Sequence, residues 1–178
     1  KSGEYNISAV QRHVPDESVH IFDFVGRTQG LIVQEGNPRK IKGLNDLPCS
    51  GLKIVNRQRG SGTRVLLDYL LKQSKISSGS IIGYDNEEYT HYNVAAAVSS
   101  GFVDVGMGIM AAALASGLEF IPIADEIFQL VIPSRYIGIG SEIDILLEQL
   151  TGEDLRRDIA SIGGYDVSRM GRIAARIN

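Results

Sequence analysis

The sequence predicts an α/β fold with a mostly parallel sheet, and two observations support this class. Between residues 52 and 123, short runs rich in β-branched and aromatic residues alternate with segments whose apolar residues recur at helical spacing. Such alternation is typical of parallel sheets, because a helical crossover returns the chain to the edge where the previous strand began. The 178 residues, 43% of them hydrophobic, suffice for one core or for two small lobes that share a hinge.

The expected strands are short and β-rich, and the expected helices are amphipathic. Strands are predicted at residues 19–25, 30–34, 51–56, 102–109, 118–123 and 128–132. Helices are predicted at residues 65–73, 86–101 and 110–116, with one or two helical turns at 41–47. Thr90 is the expected N-cap of the second helix, and Gly101 suits the position just past its end.

The C-terminal part is predicted to be helical. Residues 141–144 and 151–154 each resemble a capping box, with Asp in place of the usual Glu or Gln. Two glycines, Gly163 and Gly164, are expected to end the last helix. The arginines that follow, Arg169, Arg172 and Arg176, are most simply interpreted as a solvated face.

Composition excludes several classes of protein. The formal net charge of -3 gives no basic surplus for direct nucleic-acid contact, and no apolar run approaches the ~20 residues that span a membrane. The single cysteine, Cys49, excludes a disulfide framework and argues against a cysteine zinc site. Because the chain begins at Lys1, we expect a fragment of a longer protein. A cytoplasmic location is expected, with a periplasmic or extracellular one if a signal peptide was removed.

The strongest local signal is residues 59–64, Arg-Gly-Ser-Gly-Thr-Arg, between a predicted strand and a predicted helix. The glycines allow a tight turn, and the first helical amides lack intrahelical partners, which favours a negative ligand. The spacing matches neither a nucleotide P-loop nor a dinucleotide fingerprint. The alternative is an ordinary strand-to-helix turn with a Ser or Thr cap.

Catalysis and metal binding are not expected. The three histidines, His13, His20 and His91, are scattered along the sequence, so no metal-ligand cluster is indicated. Ser61 would need a histidine base and an acid to act as a nucleophile, and its surroundings are not a nucleophile elbow. The glycines at 106 and 108 fit either a close approach to a ligand or packing against a helix.

An ordered set of short motifs resembles the PBP-like domain, a relative of periplasmic molybdate- and tungstate-binding proteins. The motifs are Gly3-Glu4-Tyr5-Asn6, Gln29-Gly30-Leu31-Ile32-Val33, Gly36-Asn37-Pro38, residues 56–64, Thr90-His91 with Val94-Ala95, residues 104–109 and Gly164-Tyr165-Asp166. Such domains occur beside molybdopterin-biosynthesis domains or behind winged-helix DNA-binding domains, and are sometimes labelled LysR-type substrate-binding domains.

The resemblance implies a type II periplasmic-binding-protein fold with two lobes and a ligand cleft. It places residues 1–38 and 127–178 in the first lobe and residues 39–126 in the second. The family's opening strand–helix–strand is absent before Gly3, so the first lobe is expected to be incomplete. Such a fragment could bind its ligand weakly, recruit a second copy of the chain to form a homodimer, or leave a sheet edge exposed.

The resemblance further implies a binding or sensing role for a small molecule, such as the oxyanions molybdate or tungstate, with no cofactor. The expected ligand-binding residues are Arg59, Ser61, Gly62, Thr63, Arg64, Thr90, His91 and Glu126. Alternative roles are an organic effector domain of a LysR-like transcriptional regulator, part of a molybdenum-cofactor biosynthesis enzyme, or a dimerisation module.

Overall fold

The computed structural model describes residues 6–49 and 51–178, so the Gly3-Glu4-Tyr5 part of the family motif lies outside the described residues. The helices are α1 (Ile7–His13), α2 (Gly62–Gln73), α3 (His91–Ser99), α4 (Met110–Ala115), α5 (Glu142–Thr151) and α6 (Glu153–Ile162). The strands are β1 (Val19–Val33), β2 (Ile54–Arg57), β3 (Glu87–Glu88), β4 (Val105–Ile109), β5 (Glu119–Pro133), β6 (Tyr165–Asp166) and β7 (Ile173–Ile177).

The chain divides into two compact units. The terminal unit comprises the residues up to Gly26 together with Ile127–Asn178, and the central unit is Arg27–Glu126. Strands β1 and β5 each continue through a boundary between the units. The division into lobes at residues 38 and 126 stays a prediction, and the structure groups residues 27–38 with the central unit.

The sheet of the central unit is mixed. Its strand order is β3-β2-β4-β1-β5, and β2 runs parallel to both β3 and β4. Strand β1 is antiparallel to β4, with Gln29 opposite Ile109 and Val33 opposite Val105. The predicted α/β class is confirmed, and the predicted parallel pairing holds for β2 with β3 and β4, while β1 joins the sheet in the antiparallel direction. Alternation of strands and helices determines direction only within residues 52–123, and β1 lies outside that series.

Each long strand replaces two predicted ones. The strands predicted at 19–25 and 30–34 are joined in β1, which ends at Val33, and those predicted at 118–123 and 128–132 are joined in β5, which begins at Glu119. The polar residues between the predicted segments have partners in the central unit, which keeps them extended. The Thr28 hydroxyl, for example, donates to Asp125 Oδ1 at 2.8 Å.

Helices α2 and α3 pack against the sheet of the central unit and fix its core. Leu67 and Leu71 of α2 are buried with Leu31, Ile54 and Met107 of the strands. Burial of each such side chain stabilises the fold by about 1.5–3 kcal/mol relative to its exposure to water. Val65, which the sequence assigned to the apolar face of this helix, is 59% exposed.

Close packing explains one of the glycines after Asp104. A Cβ added to Gly106 would lie 2.4 Å from Val94 Cγ1 of α3, so α3 lies directly on β4 only because this residue has no side chain. The packing interpretation of this glycine is therefore the one that the structure supports.

The terminal unit contains one predicted cap and one absent one. Ser141 and Asp144 form the expected capping box of α5. The second box is wrong, because Thr151 is the last residue of α5 and Gly152 is the N-cap of α6. Helix α6 follows α5 directly, and Gly152 is both the C-cap of α5 and the N-cap of α6, so Thr151 does not occupy the cap position.

The C-terminal arginines Arg169, Arg172 and Arg176 are exposed, as the sequence predicts, and their segment also contacts the rest of the terminal unit. Arg169 forms an ion pair with buried Asp23 at 2.7 Å, and residues 173–177 form strand β7, in which Ile177 pairs with Val19 of β1. No strand is predicted here, because the segment has only five residues and three of them are polar or small.

Candidate functional site

The turn between β2 and α2 is open and carries unpaired main-chain donors. Ser61 is the N-cap of α2, and its hydroxyl accepts the Arg64 amide at 3.2 Å. Gly60 has φ 85°, and a Cβ added at Gly60 or Gly62 would meet no atom within 4 Å. Among the described residues, no partner is recorded for the amides of Gly62 and Thr63. This start of α2 can therefore donate to a ligand.

The start of α3 repeats this arrangement. Thr90 is its N-cap, and the Thr90 hydroxyl accepts the Asn93 amide at 3.0 Å, as the sequence predicts. Within the described part of the chain, the amides of His91 and Tyr92 likewise have no recorded partner. Two helices thus begin with the same capping geometry and with two donors each.

Both helix starts lie at one edge of the central sheet. Strands β2 and β3 are parallel, with Arg57 opposite Glu88 at their carboxyl ends. Helix α2 begins five residues after β2, and helix α3 begins three residues after β3. The carboxyl edge of an open α/β sheet is where such folds bind ligands, so the position favours a binding site.

Arg57 lies between the two helix starts. Its Nη2 donates to the Tyr89 carbonyl at 2.9 Å, and its Nε donates to Gln58 Oε1 at 3.1 Å and to the Glu88 carbonyl at 3.3 Å. These are neutral acceptors, so Arg57 has no recorded carboxylate partner among the described residues. Burial, together with the charge of Arg27, lowers the pKa of Arg57. Two like charges held close together favour a bound anion.

His91 is neutral at physiological pH. Burial, followed by the charges of Arg57 and Arg27, lowers its pKa to about 4. Its Nδ1 atom is buried without a hydrogen-bond partner and faces Gly108, where an added Cβ would lie 3.6 Å away. His91 therefore contributes a neutral ring to this site, with one nitrogen that still needs a partner.

Glu126 holds two neighbours rather than standing free. Its Oε1 forms an ion pair with Arg27, and its Oε2 accepts from Gln29 Nε2 at 2.7 Å. Gln29 is only 1% exposed, and its Oε1 has no partner. The carboxylate thus fixes the position of Arg27 and Gln29 at the edge next to β4.

Two predicted ligand residues, Arg64 and Arg59, are paired with carboxylates of the central unit. Arg64 is 4% exposed, pairs with Asp68 at 2.9 Å and Glu87 at 3.3 Å, and stacks on the Tyr84 ring. Burial alone lowers the pKa of Arg64, but its hydrogen bonds to Tyr84 and Asp68 outweigh this and raise it. Arg59 is 74% exposed on its side chain and pairs with Asp85 at 3.0 Å.

The structure adds three residues that are not among the ligand-binding residues expected from the sequence. Arg27, Gln29 and Arg57 lie with His91 and Glu126, whereas Arg59 and Arg64 do not. A signal existed for Arg57, because it is the last residue of a strand that leads into the glycine turn. None existed for Arg27 and Gln29, since their role depends on β1 lying beside β4 and on Glu126, 97 residues from Gln29.

The described residues contain neither a candidate metal-ligand cluster nor a candidate membrane-spanning helix. No group of three or more His, Cys, Asp and Glu side chains there could hold a metal ion. No helix in the part of the chain that the structure describes is long and apolar enough to cross a membrane.

Together, the open α/β sheet and the donor-rich edge define a ligand-binding domain of the periplasmic-binding-protein type. The chain belongs to the PBP superfamily domain family, whose model matches residues 1–151. The fold class and the resemblance predicted from the sequence are thereby confirmed.

A curated relative and two solved structures are similar to the chain. Protein YvgK of Bacillus subtilis (strain 168), uncharacterized, is 34% identical over 173 residues, which are 97% of this chain. The chain spans about half of that relative's length, 55%. The substrate-binding domain assigned to a molybdenum ABC transporter of Clostridium difficile has a TM-score of 0.57 at 17% identity, over 93% of this chain and 74% of that one. PEB3 bound to L-phospholactate has a TM-score of 0.53 at 17% identity, over 82% of this chain and 68% of that one.

Proposed function

We propose that the central unit binds a small anion at the carboxyl edge of its sheet, and that the chain is a binding or sensing domain. The observation that carries this proposal is the position of Arg57. Arg57 ends β2 five residues before α2, and its guanidinium donates to the carbonyls of Glu88 and Tyr89 directly before the N-cap of α3, so its charge lies near both helix starts. No carboxylate among the described residues is recorded as a partner of Arg57, so an external anion supplies the missing charge.

An oxyanion of the molybdate or tungstate type is the first candidate ligand. The amides of Gly62 and Thr63 and those of His91 and Tyr92 supply donors, and the arginines supply charge. Hydroxyls at Ser61 and Thr90 cap the helices from their own side chains, so they shape the site and leave the amides to the ligand. Of the similar structures, one is a domain assigned to a molybdenum transporter and one is bound to L-phospholactate, in keeping with an acidic ligand.

The setting that we propose is a larger protein that acts in molybdenum-cofactor biosynthesis or in transcriptional regulation. The curated relative extends well beyond the matched part, which leaves room there for a second domain. The sequence of the complete gene tests this: a molybdopterin-type enzyme domain or a winged helix next to this domain supports one of the two settings. A full-length protein that contains neither kind of domain would contradict both settings.

Calorimetric titration of the wild-type protein with molybdate, tungstate, sulfate and phosphate tests the binding proposal. Heat of binding and a raised melting temperature are expected for at least one of them. We expect Arg57→Gln to weaken that binding about tenfold or more, because a charge-assisted hydrogen bond is worth about 1.5–3 kcal/mol.

Arg59→Gln is the matched control, since it removes the same charge from an exposed side chain two residues away. Its affinity is expected to stay within about twofold to threefold of wild type. No heat and no thermal shift with any of the four anions would remove the oxyanion version of the proposal. Equal losses in both variants would remove the special role of Arg57.

The second candidate function is an effector domain for an organic acid, as in LysR-like regulators. One observation favours it: the buried, unpartnered Oε1 of Gln29 needs a hydrogen-bond donor. Molybdate and tungstate carry no donor when fully deprotonated. The same titration with small carboxylic acids separates the two candidates.

A further inference from the structure

The amide of Gln29 has a fixed orientation. A carboxylate can only accept hydrogen bonds, so the Gln29 atom that lies 2.7 Å from Glu126 Oε2 is the nitrogen. The other atom of the amide is therefore the oxygen, an acceptor. It is buried in a side chain that is 1% exposed, and no donor reaches it.

His91 adds a second unsatisfied group near this cluster. Its Nδ1 is also buried without a partner. A neutral imidazole has one donor nitrogen and one acceptor nitrogen, so the ring can accept a hydrogen bond as well as donate one. His91 Nδ1 would lie 3.6 Å from a Cβ added at Gly108 of β4, and Gln29 is opposite Ile109, the next residue of that strand, which links the two unsatisfied groups to one site.

A ligand that has only acceptors leaves these groups unsatisfied. An unpaired buried acceptor costs about 1–3 kcal/mol, so native structures rarely keep one without a purpose. The arginines and the helix starts need an anion, whereas Gln29 Oε1 needs a donor. A ligand that meets both needs carries a negative group and a hydrogen-bond donor close together.

We propose, on the basis of the anion site above, that the ligand is a small organic acid with a hydroxyl or ammonium donor next to its carboxylate. The carboxylate lies toward Arg57 and the helix starts, and the donor lies toward Gln29 Oε1. The ligand class is thus that of the α-hydroxy and α-amino acids rather than that of bare oxyanions. Discrimination arises because a polar site rejects an analogue that leaves its buried groups unpaired.

Titration with matched acids, followed by NMR so that millimolar affinities are measured, tests this class. L-lactate and L-alanine carry the hydroxyl and the ammonium donor, propionate has the same carbon skeleton without either, and molybdate is the bare oxyanion. At least one of the first two is expected to bind about tenfold or more tighter than propionate and molybdate. The tighter of the two shows whether the donor is a hydroxyl or an ammonium group.

Two glutamine variants test whether Gln29 is the residue that discriminates between the acids. Gln29→Met keeps the length of the side chain but removes the acceptor. The dissociation constant of propionate divided by that of lactate or alanine is therefore expected to fall to near 1. Gln34→Met is the control, because Gln34 is a half-buried glutamine of the same unit whose Nε2 donates to the Val98 carbonyl at 3.3 Å. Its ratio is expected to equal that of wild type.

The outcomes separate this inference from the proposal that it rests on. Propionate or molybdate binding as tightly as both donor-bearing acids would overturn the inference and leave the anion site intact. No binding of any of these four, nor of the other oxyanions, would overturn both. A Gln29 variant that binds with the wild-type ratio would also overturn it, and if that variant fails to fold, the wild-type ratios alone decide.

Discussion

Asp23 of the terminal unit and Glu126 of the central unit are carboxylates on long strands with opposite surroundings. Asp23 is 1% exposed. Its Oδ1 accepts from Gln129 Nε2 at 2.8 Å, and its Oδ2 has no hydrogen-bond partner in the described part of the chain but lies 2.7 Å from Arg169 in an ion pair. Glu126 is also paired, but its partner Gln29 keeps an unsatisfied buried oxygen. A buried carboxylate oxygen that faces a cation, as in Asp23, stabilises the fold, whereas the amide oxygen of Gln29 has neither a donor nor a recorded counter-charge among the described residues and is open to a ligand.

The largest effect on stability is expected from breaking the ion pair between Asp23 and Arg169. Arg169→Met leaves the buried carboxylate of Asp23 without its counter-charge and is expected to lower the free energy of unfolding by about 3 kcal/mol. Chemical denaturation of the wild type and the variant measures this loss of free energy. Arg176→Met changes an exposed arginine of the same segment and is expected to stay within about 0.5 kcal/mol of wild type. Equal losses in both variants would show that Asp23 and Arg169 are not a distinct structural pair.

A smaller loss of stability is expected at Arg64 in the central unit. Arg64→Met removes the ion pairs with Asp68 and Glu87 and the stacking on Tyr84, so the free energy of unfolding is expected to fall by about 2 kcal/mol. Arg59→Met, at an exposed site, is the control and is expected to be nearly neutral. Denaturation curves of both variants check this, and a neutral Arg64→Met would contradict its structural role.

The smallest effect is a pH dependence that His91 produces. Its pKa is lowered from 6.5 to about 4 in the folded protein, so between these values the unfolded chain binds more protons and acid favours unfolding. Stability contributed by the neutral ring is complete above pH 6.5 and is lost as the pH falls toward 4. Because the ring is partly exposed, the loss is expected to be about 1–2 kcal/mol.

Melting temperatures measured between pH 7.5 and 4 test this dependence. His91→Gln removes the titrating group, and its curve is expected to be flatter than that of wild type in this range. His20 serves as the control position, because it lies in the terminal unit, where its ring contacts Ser134 Oγ at 3.0 Å. His20→Gln is expected to leave the slope that belongs to His91 unchanged, and equal flattening by both variants would contradict the assignment.

Local patterns predicted the elements of the central unit well and the long strands poorly. Caps at Ser61 and Thr90 and the glycine after α3 follow from interactions within a few residues, so the sequence contains them. The continuity of β1 through Arg27 and Thr28 depends on partners about 97 residues away. No pattern within one segment contains that information.

The candidate site divides in the same way. Gly62 and Thr63 were predicted because a glycine turn before a helix has a local signature. Arg64 was predicted as a ligand residue from its charge alone, but helical geometry directs it toward Asp68, four residues later, and away from the amides. Gln29 could not be predicted, since only the fold brings it to Glu126.

The most direct measurement of the central claim is the response of the Gly62 and Thr63 amide signals to ligand in ¹⁵N-resolved NMR. We expect both signals, together with those of His91 and Tyr92, to shift in parallel as whichever of the tested anions or acids binds is added. A ligand that binds by calorimetry while these four amides stay unchanged would contradict the account.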